Sequence, residues 1–279
     1  MSTPDSSEYT RKVKLLTTQS VIDTNKRNYF NQQYSTPVSG ISLLNFLPKI
    51  TGYPTTAQPT EEVVVGGSMK FIGGGVSVQT NVSFATDVNL RPGTGAFTVE
   101  WFQYYQDSDQ NAIVFSIGTF PSNDLCVVYT GTTMFLFTDG GSTNVSSAVT
   151  KNVWQHVAVV GNGGADGSRN TKVYVDGQLK LTRTNNYNIT QTDDLRIGNQ
   201  TDATLANGNY VGLLTNFRWV VGSQVYTSNF VPPTEALTAI SGTELLLLAT
   251  SEPDVVKDSS VRNRTPTNTG VTFDSDSPF

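Results

Sequence analysis

A chain of 279 residues, of which 37% are hydrophobic and 15% charged, can bury one large core, with a surface covered by Ser, Thr, Asn and Gln more than by Lys and Glu. Its net charge of −5 excludes a global basic field for holding nucleic acid. Its single cysteine, Cys126 in the apolar run "DLCVVYT", excludes an intramolecular disulfide and reads as a core thiol.

Taken in order, the chain begins with a basic stretch. Residues 1–60 carry Arg11, Lys12, Lys14, Lys26, Arg27 and Lys49 against Asp5, Glu8 and Asp23, whereas the remainder is acidic, so the two parts are different kinds of chain. The opening "MSTPDSSEYTRKVKLL" has no apolar h-region, which reads against a secretory signal and for synthesis in the cytoplasm. "RKVKLLTTQSVI" fits one short helix or an extended segment, and "SGISLLNFLPKITGYPTTAQPT" mixes apolar anchors with Pro and Gly. Such a segment has too little apolar area to offset its own ordering entropy. Residues 1–61 therefore read as an arm ahead of a domain at 62–279. The candidate assembly residues are the anchors Leu15, Leu16, Tyr29, Phe30, Leu43, Leu44 and Phe46, which would dock in neighbouring subunits, and the cluster Arg11, Lys12 and Lys14, which would meet acidic surface. The arm is expected to extend away from its own sandwich; the alternative is that it wraps back over a sheet face or edge.

From about Glu62 short apolar runs recur between Gly, Asn, Asp and Pro clusters. "GAFTVEWFQYY", "NAIVFSIG", "DLCVVYT", "TMFLFTDGG", "VWQHVAVVGN", "TKVYVDGQLKL", "DDLRIGN", "YVGLLTNFRWVVG" and "TELLLLAT" are rich in β-branched and aromatic residues and read as strands. No long stretch carries a helical stripe, and the longest apolar run, "ELLLLA", falls well short of the ~20 residues that cross a bilayer. The fold class is all-β, an antiparallel sandwich or barrel. Alternation predicts Trp101, Phe115, Val157, Val175, Ile197 and Phe217 as core residues.

The only histidine, His156, lies in "NVWQHVAVVGNGGADGSRNTKVYVDGQL" with Asp166 and Asp176 nearby. Alternation puts Trp154, His156, Ala158 and Val160 on one strand face and Val153, Gln155, Val157 and Val159 on the other. A Gly-rich loop follows, then "TKVYV", then a tight "DG" turn. Asp176 is thus a turn residue and Asp166 a loop tip. The stretch reads as a hairpin rather than a catalytic cluster, with the His156 ring packed or bonded to the backbone or a hydroxyl.

The succession "FTVEWFQYY", "WQHVAVV", "KVYVDGQL", "LRIGNQ", "GLLTNFRWVVGSQVYTSNFVPPTEAL" and "LLLLAT" resembles the concanavalin A-like lectin/glucanase superfamily, and within it laminin G-like, pentraxin-related domains, over residues 62–279. The resemblance implies a two-sheet antiparallel jelly-roll sandwich with a concave face and rim loops. It also implies that "GVTFDSDSPF" is a closing strand pairing with the first, near "GSMKFIGGGVSVQT". The hydrolase branch carries Glu-x-Asp-x-(x)-Glu on one strand; Glu100 has no Asp two residues on, and Asp107, Asp109, Asp193 and Asp194 read as solvated turn residues. The calcium-binding branches carry an acidic turn where this chain has glycines. Asp193, Asp194 and Asn199 are what remains for a Ca2+ ion. The expectation is no catalytic residue, no metal and no cofactor. Sugar or partner binding falls to the aromatics Tyr104, Tyr105, Tyr187 and Tyr210, with Trp219 also considered and core packing as the competing role of each.

"SSEYTRKVKLLTTQSVIDTNKRNYFNQQYS" resembles N-terminal segments of structural proteins of large double-stranded DNA viruses of aquatic hosts, and "VYTSNFVPPTEALTAISGTELLLL" is similar to laminin G-like modules of such viruses and of marine tailed phages. This second likeness implies a non-enzymatic virion structural protein (minor capsid, vertex, fibre or tail component). Its partners would be other viral structural proteins, copies of itself and surface glycans. The alternatives are a soluble carbohydrate-binding lectin and, behind it, a glycan hydrolase.

Overall fold

The computed structural model describes residues 66–73, 80–106, 111–118, 125–139, 141–190, 193–200 and 208–279. The arm expected at 1–61, with Arg11, Lys12, Lys14, Leu15, Leu16, Tyr29, Phe30, Leu43, Leu44 and Phe46, lies outside the described residues. So do Asp107, Asp109 and the Gly-rich run beyond Gly73.

Among the described residues the strands are β1 (Ser68–Ile72), β2 (Asn81–Phe84), β3 (Ala96–Tyr105), β4 (Ala112–Ile117), β5 (Leu125–Thr130), β6 (Thr133–Thr138), β7 (Gly141–Val145), β8 (Trp154–Asn162), β9 (Asn170–Val175), β10 (Gln178–Thr184), β11 (Leu195–Ile197), β12 (Val211–Val221), β13 (Thr243–Leu247), β14 (Thr267–Thr269) and β15 (Thr272–Asp274). Sheet A runs β10-β9-β8-β3-β12-β1-β15, with β13 also paired to β12, and sheet B runs β14-β2-β11-β4-β5-β6-β7. The strands pair antiparallel, and the closing strand β15 lies against β1 through Ser68↔Asp274, Met69↔Phe273 and Lys70↔Thr272, as the resemblance implied.

Alternation explains which residues enter the core. In β3, Phe97, Val99, Trp101 and Tyr105 join the main apolar cluster, while Thr98, Glu100, Phe102 and Tyr104 take the opposite face. In β12 the phase is reset. Asn216 adopts a positive φ of 53°, the register against β3 shifts between Thr215 and Arg218, and this bulge lets Leu214, Phe217 and Trp219 all point inward. Phe115 meets Trp101, Phe217 and Trp219 edge-on at 5.6, 5.8 and 5.8 Å between ring centroids, the geometry aromatic quadrupoles favour. Trp101, Phe115, Val157, Val175, Ile197 and Phe217 are all buried, as expected. Gln103 brings an amide into this region: its Oε1 accepts from Trp101 Nε1 and Tyr129 Oη, each at 2.8 Å, so two buried donors are satisfied by one acceptor. Cys126 is fully buried, and burial pushes its thiol up, as a core role requires.

Part of the outer face of sheet A is covered. Residues 223–240 form a strap that crosses from β3 over β8 to the β9–β10 turn and returns to β12. Val225 N donates to Thr98 Oγ1 (2.9 Å), Phe230 N to Gly177 O (3.0 Å) and Leu237 N to Asn216 Oδ1 (2.6 Å). Tyr226 and Phe230 stack on one another at 3.6 Å and pack on Ala158, Val160 and Tyr174. Asp176 and Gly177 form the two-residue hairpin turn, with φ of 49° and 71°. A Cβ on Gly177 would fall 1.8 Å from Phe230 O, so the glycine serves both the turn and the approach of the strap.

Candidate functional site

Beneath the strap lies a closed polar cluster. Glu100 Oε1 accepts from Arg218 Nε at 2.9 Å and from Nη2, and Oε2 accepts from Tyr226 Oη at 2.7 Å and faces His156 Nε2 at 3.0 Å. Arg218 Nη1 is used by Thr238 O at 2.7 Å. Glu100, His156 and Arg218 are 0%, 1% and 5% exposed. Burial pushes the Glu100 carboxyl up, but the His156 hydrogen bond, the Arg218 charge and the Tyr226 hydroxyl outweigh it and hold the group below its ordinary value. Burial and the Glu100 charge push the Tyr226 phenol up. Nε2 is the His156 nitrogen that faces an acceptor, whereas Nδ1 has no hydrogen-bond partner among the described residues. The geometry therefore favours the tautomer protonated at Nε2.

The hairpin expected around His156 is present, with two corrections. The ring partner is a carboxylate rather than the backbone or a hydroxyl. Asp176 also returns to His156, through the main chain: Oδ1 accepts from His156 N at 2.9 Å and Oδ2 from Gln155 Nε2 at 2.8 Å. Asp166 stays at the loop tip, paired with Arg169. A glutamate and a histidine within 3.0 Å have the composition of an acid–base pair. Here the strap shuts them in, and their groups are spent on joining β3, β8, β12 and the strap.

Of the four tyrosines expected to bind glycan or partner, three are corrected to core residues. Tyr105, Tyr187 and Tyr210 are fully buried. Tyr105 lies 5.1 Å from Tyr129 and 5.7 Å from Tyr210; Tyr210 also meets Phe71 at 5.8 Å. Tyr187 meets Phe97 edge-on at 5.4 Å, and its hydroxyl accepts from Gly163 N at 2.7 Å. A ring with neither face accessible cannot stack on a ligand. Trp219 is buried as well.

Tyr104 is the exception. It alternates with Tyr105 and so faces outward, half-buried, directly opposite Trp154 on β8 with ring centroids 5.9 Å apart. The same cross-strand row continues through Leu213 on β12 to Lys70 on β1 and Thr272 on β15. From Trp154 to Lys70 is three strand spacings, ~14 Å at ~4.8 Å each. Ile72, 52% exposed, and its partner Val211 extend the apolar surface beside Lys70 and Leu213. Carboxylates border the row: Asp276 Oδ1 accepts from Trp154 Nε1 at 3.3 Å and Asp274 Oδ2 from Lys70 Nζ at 3.0 Å. The Asp276 backbone N–H, and after it the Lys70 ammonium, hold Asp274 below its ordinary value against the opposing effect of burial. Ring faces with carboxylate acceptors beside them suit the CH faces and hydroxyls of a sugar. Trp154 was absent from the expected binding residues. Alternation assigned its face, but its pairing with Tyr104 depends on the register of β3 against β8.

The rim acids behave differently. Asn199 is buried and its Oδ1 accepts from Gln200 N at 2.5 Å; Asp193 lines a small recess with Asp87, Leu90, Arg91, Ile117 and Leu195. Among the described residues no three His, Cys, Asp or Glu side chains converge as a metal ion would require.

A separate ionic clamp fastens the 258–264 loop to β13. Arg262 Nε and Nη2 bind the Glu244 carboxylate at 2.6 and 2.9 Å, Arg264 Nε binds Asp87 Oδ2 at 2.8 Å, and Asp258 Oδ1 accepts from Leu246 N at 3.1 Å. The Arg262 hydrogen bond holds Glu244 below its ordinary value; at Asp87, burial pushes up but the Asn89 N–H and Arg264 prevail downward. Glu100, Glu244, Asp87 and Asp274 thus all titrate lower in the folded than in the unfolded chain. Their contribution is complete above the unfolded values, about 4, and is lost as pH falls through the folded ones. Urea melts from pH 7 to pH 2 should show stability falling below about pH 4; a midpoint that holds constant to pH 2 would contradict the clamp.

Residues 74–221 match the sequence model of a laminin G family described as the concanavalin A-like lectin/glucanases superfamily. No curated protein matches the chain. Among solved structures, the native heptameric SAP-like pentraxin from Limulus polyphemus is similar, with 16% identity and a TM-score of 0.54 over 76% of this chain and 95% of that one. A Bacteroides ovatus protein named for a proposed carbohydrate-binding role is similar at 15% identity and a TM-score of 0.57, over 75% of this chain and 59% of that one. At these identities the likeness is one of fold.

Proposed function

The chain belongs to the concanavalin A-like lectin/glucanases superfamily, and on that footing we propose that its sandwich is a non-catalytic recognition module that binds carbohydrate on the outer face of sheet A. The observation that carries this reading is the half-buried Tyr104–Trp154 pair, bordered by Asp276 and Asp274. The non-catalytic part rests on Glu100 and His156 being closed beneath the strap. The test is a glycan array followed by titration. Trp101 and Trp219 are fully buried, so a change in tryptophan emission on adding glycan reports on Trp154. Trp154→Ala and Tyr104→Ala should each weaken binding about 30-fold, the truncation of a ~2 kcal/mol hot spot, while still melting cooperatively well above the titration temperature. Absence of any glycan hit, or variants that bind like the parent, would overturn the reading.

A second reading, a virion component whose partners are other structural proteins or copies of this chain, is favoured by one feature: the basic, anchor-bearing composition of residues 1–61 in an otherwise acidic chain. Neither the family nor the similar structures bear on it. Incorporation of residues 1–279, but not of residues 62–279, into particles would support it.

A further inference from the structure

Resting on the recognition role proposed above, we infer that the Tyr104–Trp154 row takes a neutral oligosaccharide laid across β8, β3, β12 and β1, and turns away anionic sugars such as sialic acids and uronates. The row is one strand wide and ~14 Å long, longer than a single pyranose ring. Aromatic faces occupy one end and the Lys70 stem the other, with Leu213, 5% exposed, as the closed floor between them.

Its polar groups are biased toward accepting. Lys70, which would otherwise attract an anion, is held by Asp274 at 3.0 Å. Asp276 uses Oδ1 on the Trp154 indole at 3.3 Å, and an ionised carboxylate can only accept, which suits sugar hydroxyls as donors. Two carboxylates against one ammonium leave an excess negative charge beside Trp154. These acids are also fixed in place: Asp276 N donates to Asp274 Oδ1 at 3.0 Å, and Ser68 Oγ donates to Asp276 O at 2.9 Å. A ligand carboxylate would meet a like charge held in position, and at Lys70 it would share the ammonium with Asp274 and lie against that second like charge.

The experiment titrates the full chain at low ionic strength, where charge effects are least screened. The probes are neutral gluco- and galacto-oligosaccharides, from mono- to hexasaccharides, and matched sialyl- and uronate-bearing chains. Affinity for neutral chains should rise with length until the row is spanned. Anionic counterparts should bind about fivefold or more weakly. Asp276→Asn, which keeps an acceptor for the Trp154 indole, should narrow that gap. Anionic chains binding as tightly as neutral ones, a gap that Asp276→Asn leaves unchanged, or monosaccharides binding as tightly as chains would each overturn the inference while leaving the recognition role standing. Failure of every glycan to bind would remove both.

Discussion

Glu100→Ala should lower the unfolding free energy by about 3–5 kcal/mol, the usual cost of leaving a buried charge without its partner. Arg218 is 5% exposed, and its Nε and Nη2 both lie on the Glu100 carboxylate. Removing the carboxylate also takes the acceptor from Tyr226 Oη and from His156 Nε2. The loss should be felt first at the strap, because Tyr226 is its central anchor. Hydrogen exchange at the Val225 and Phe230 amides, bonded to Thr98 Oγ1 and Gly177 O, should accelerate more than exchange in β5 or β6. Urea denaturation gives the total. A loss below about 1 kcal/mol, the scale of an exposed pair, would mean that the cluster is hydrated rather than closed. Should Glu100→Gln keep the fold yet abolish a measurable glycan hydrolysis, the non-catalytic reading would be wrong.

Phe217→Ala should cost a similar amount, about 3–5 kcal/mol, by a different mechanism: lost transfer energy plus an unfilled cavity. Phe217 is fully buried. It stacks 6.1 Å from Trp101 and meets Phe115 edge-on at 5.8 Å, so the cavity would open between the sheets among rigid rings that collapse poorly. Phe217→Leu should cost less, since it returns most of the volume. Denaturant midpoints, with the near-ultraviolet signal of Trp101 as a second probe, decide the matter. Equal midpoints for parent and Phe217→Ala would place the side chain outside the core.

The parts of this architecture that were legible in the sequence are those governed by local periodicity. Strand alternation in "FTVEWFQYY" and "VWQHVAVV" placed Trp101 and Val157 inward, and "DG" at 176–177 marked the hairpin turn by its need for positive φ. What alternation cannot say is what covers an outward face. Glu100 and Tyr104 share one face of β3, yet Glu100 is sealed and Tyr104 half-exposed, because the strap crosses over the first and not the second. The strap's own sequence, "SQVYTSNFVPPTEAL", reads as a loop, and its two aromatic anchors acquire a role only against Glu100 and Tyr174. Adjacent Tyr104 and Tyr105 were treated alike although a strand must send them to opposite faces. The Glu100–Arg218 pair joins strands distant in the chain, across a bulge at Asn216 that shifts the phase of β12.

The placement of β1 bears on the order in which the protein is made. Both of its neighbours in sheet A, β12 and β15, are drawn from the last third of the chain. A polypeptide leaving the ribosome at about 5–20 residues per second would carry β1 without either partner for roughly 7–30 seconds. Met69 and Phe71, fully enclosed at the end, are apolar side chains on a bare strand throughout that interval. β12 pairs with β3 and β13 as well as with β1, so its emergence is the event that gives sheet A a centre. Such long-range closure belongs to the slow regime of folding, milliseconds to seconds, and until it occurs nascent β1 is an unpaired strand with apolar side chains exposed.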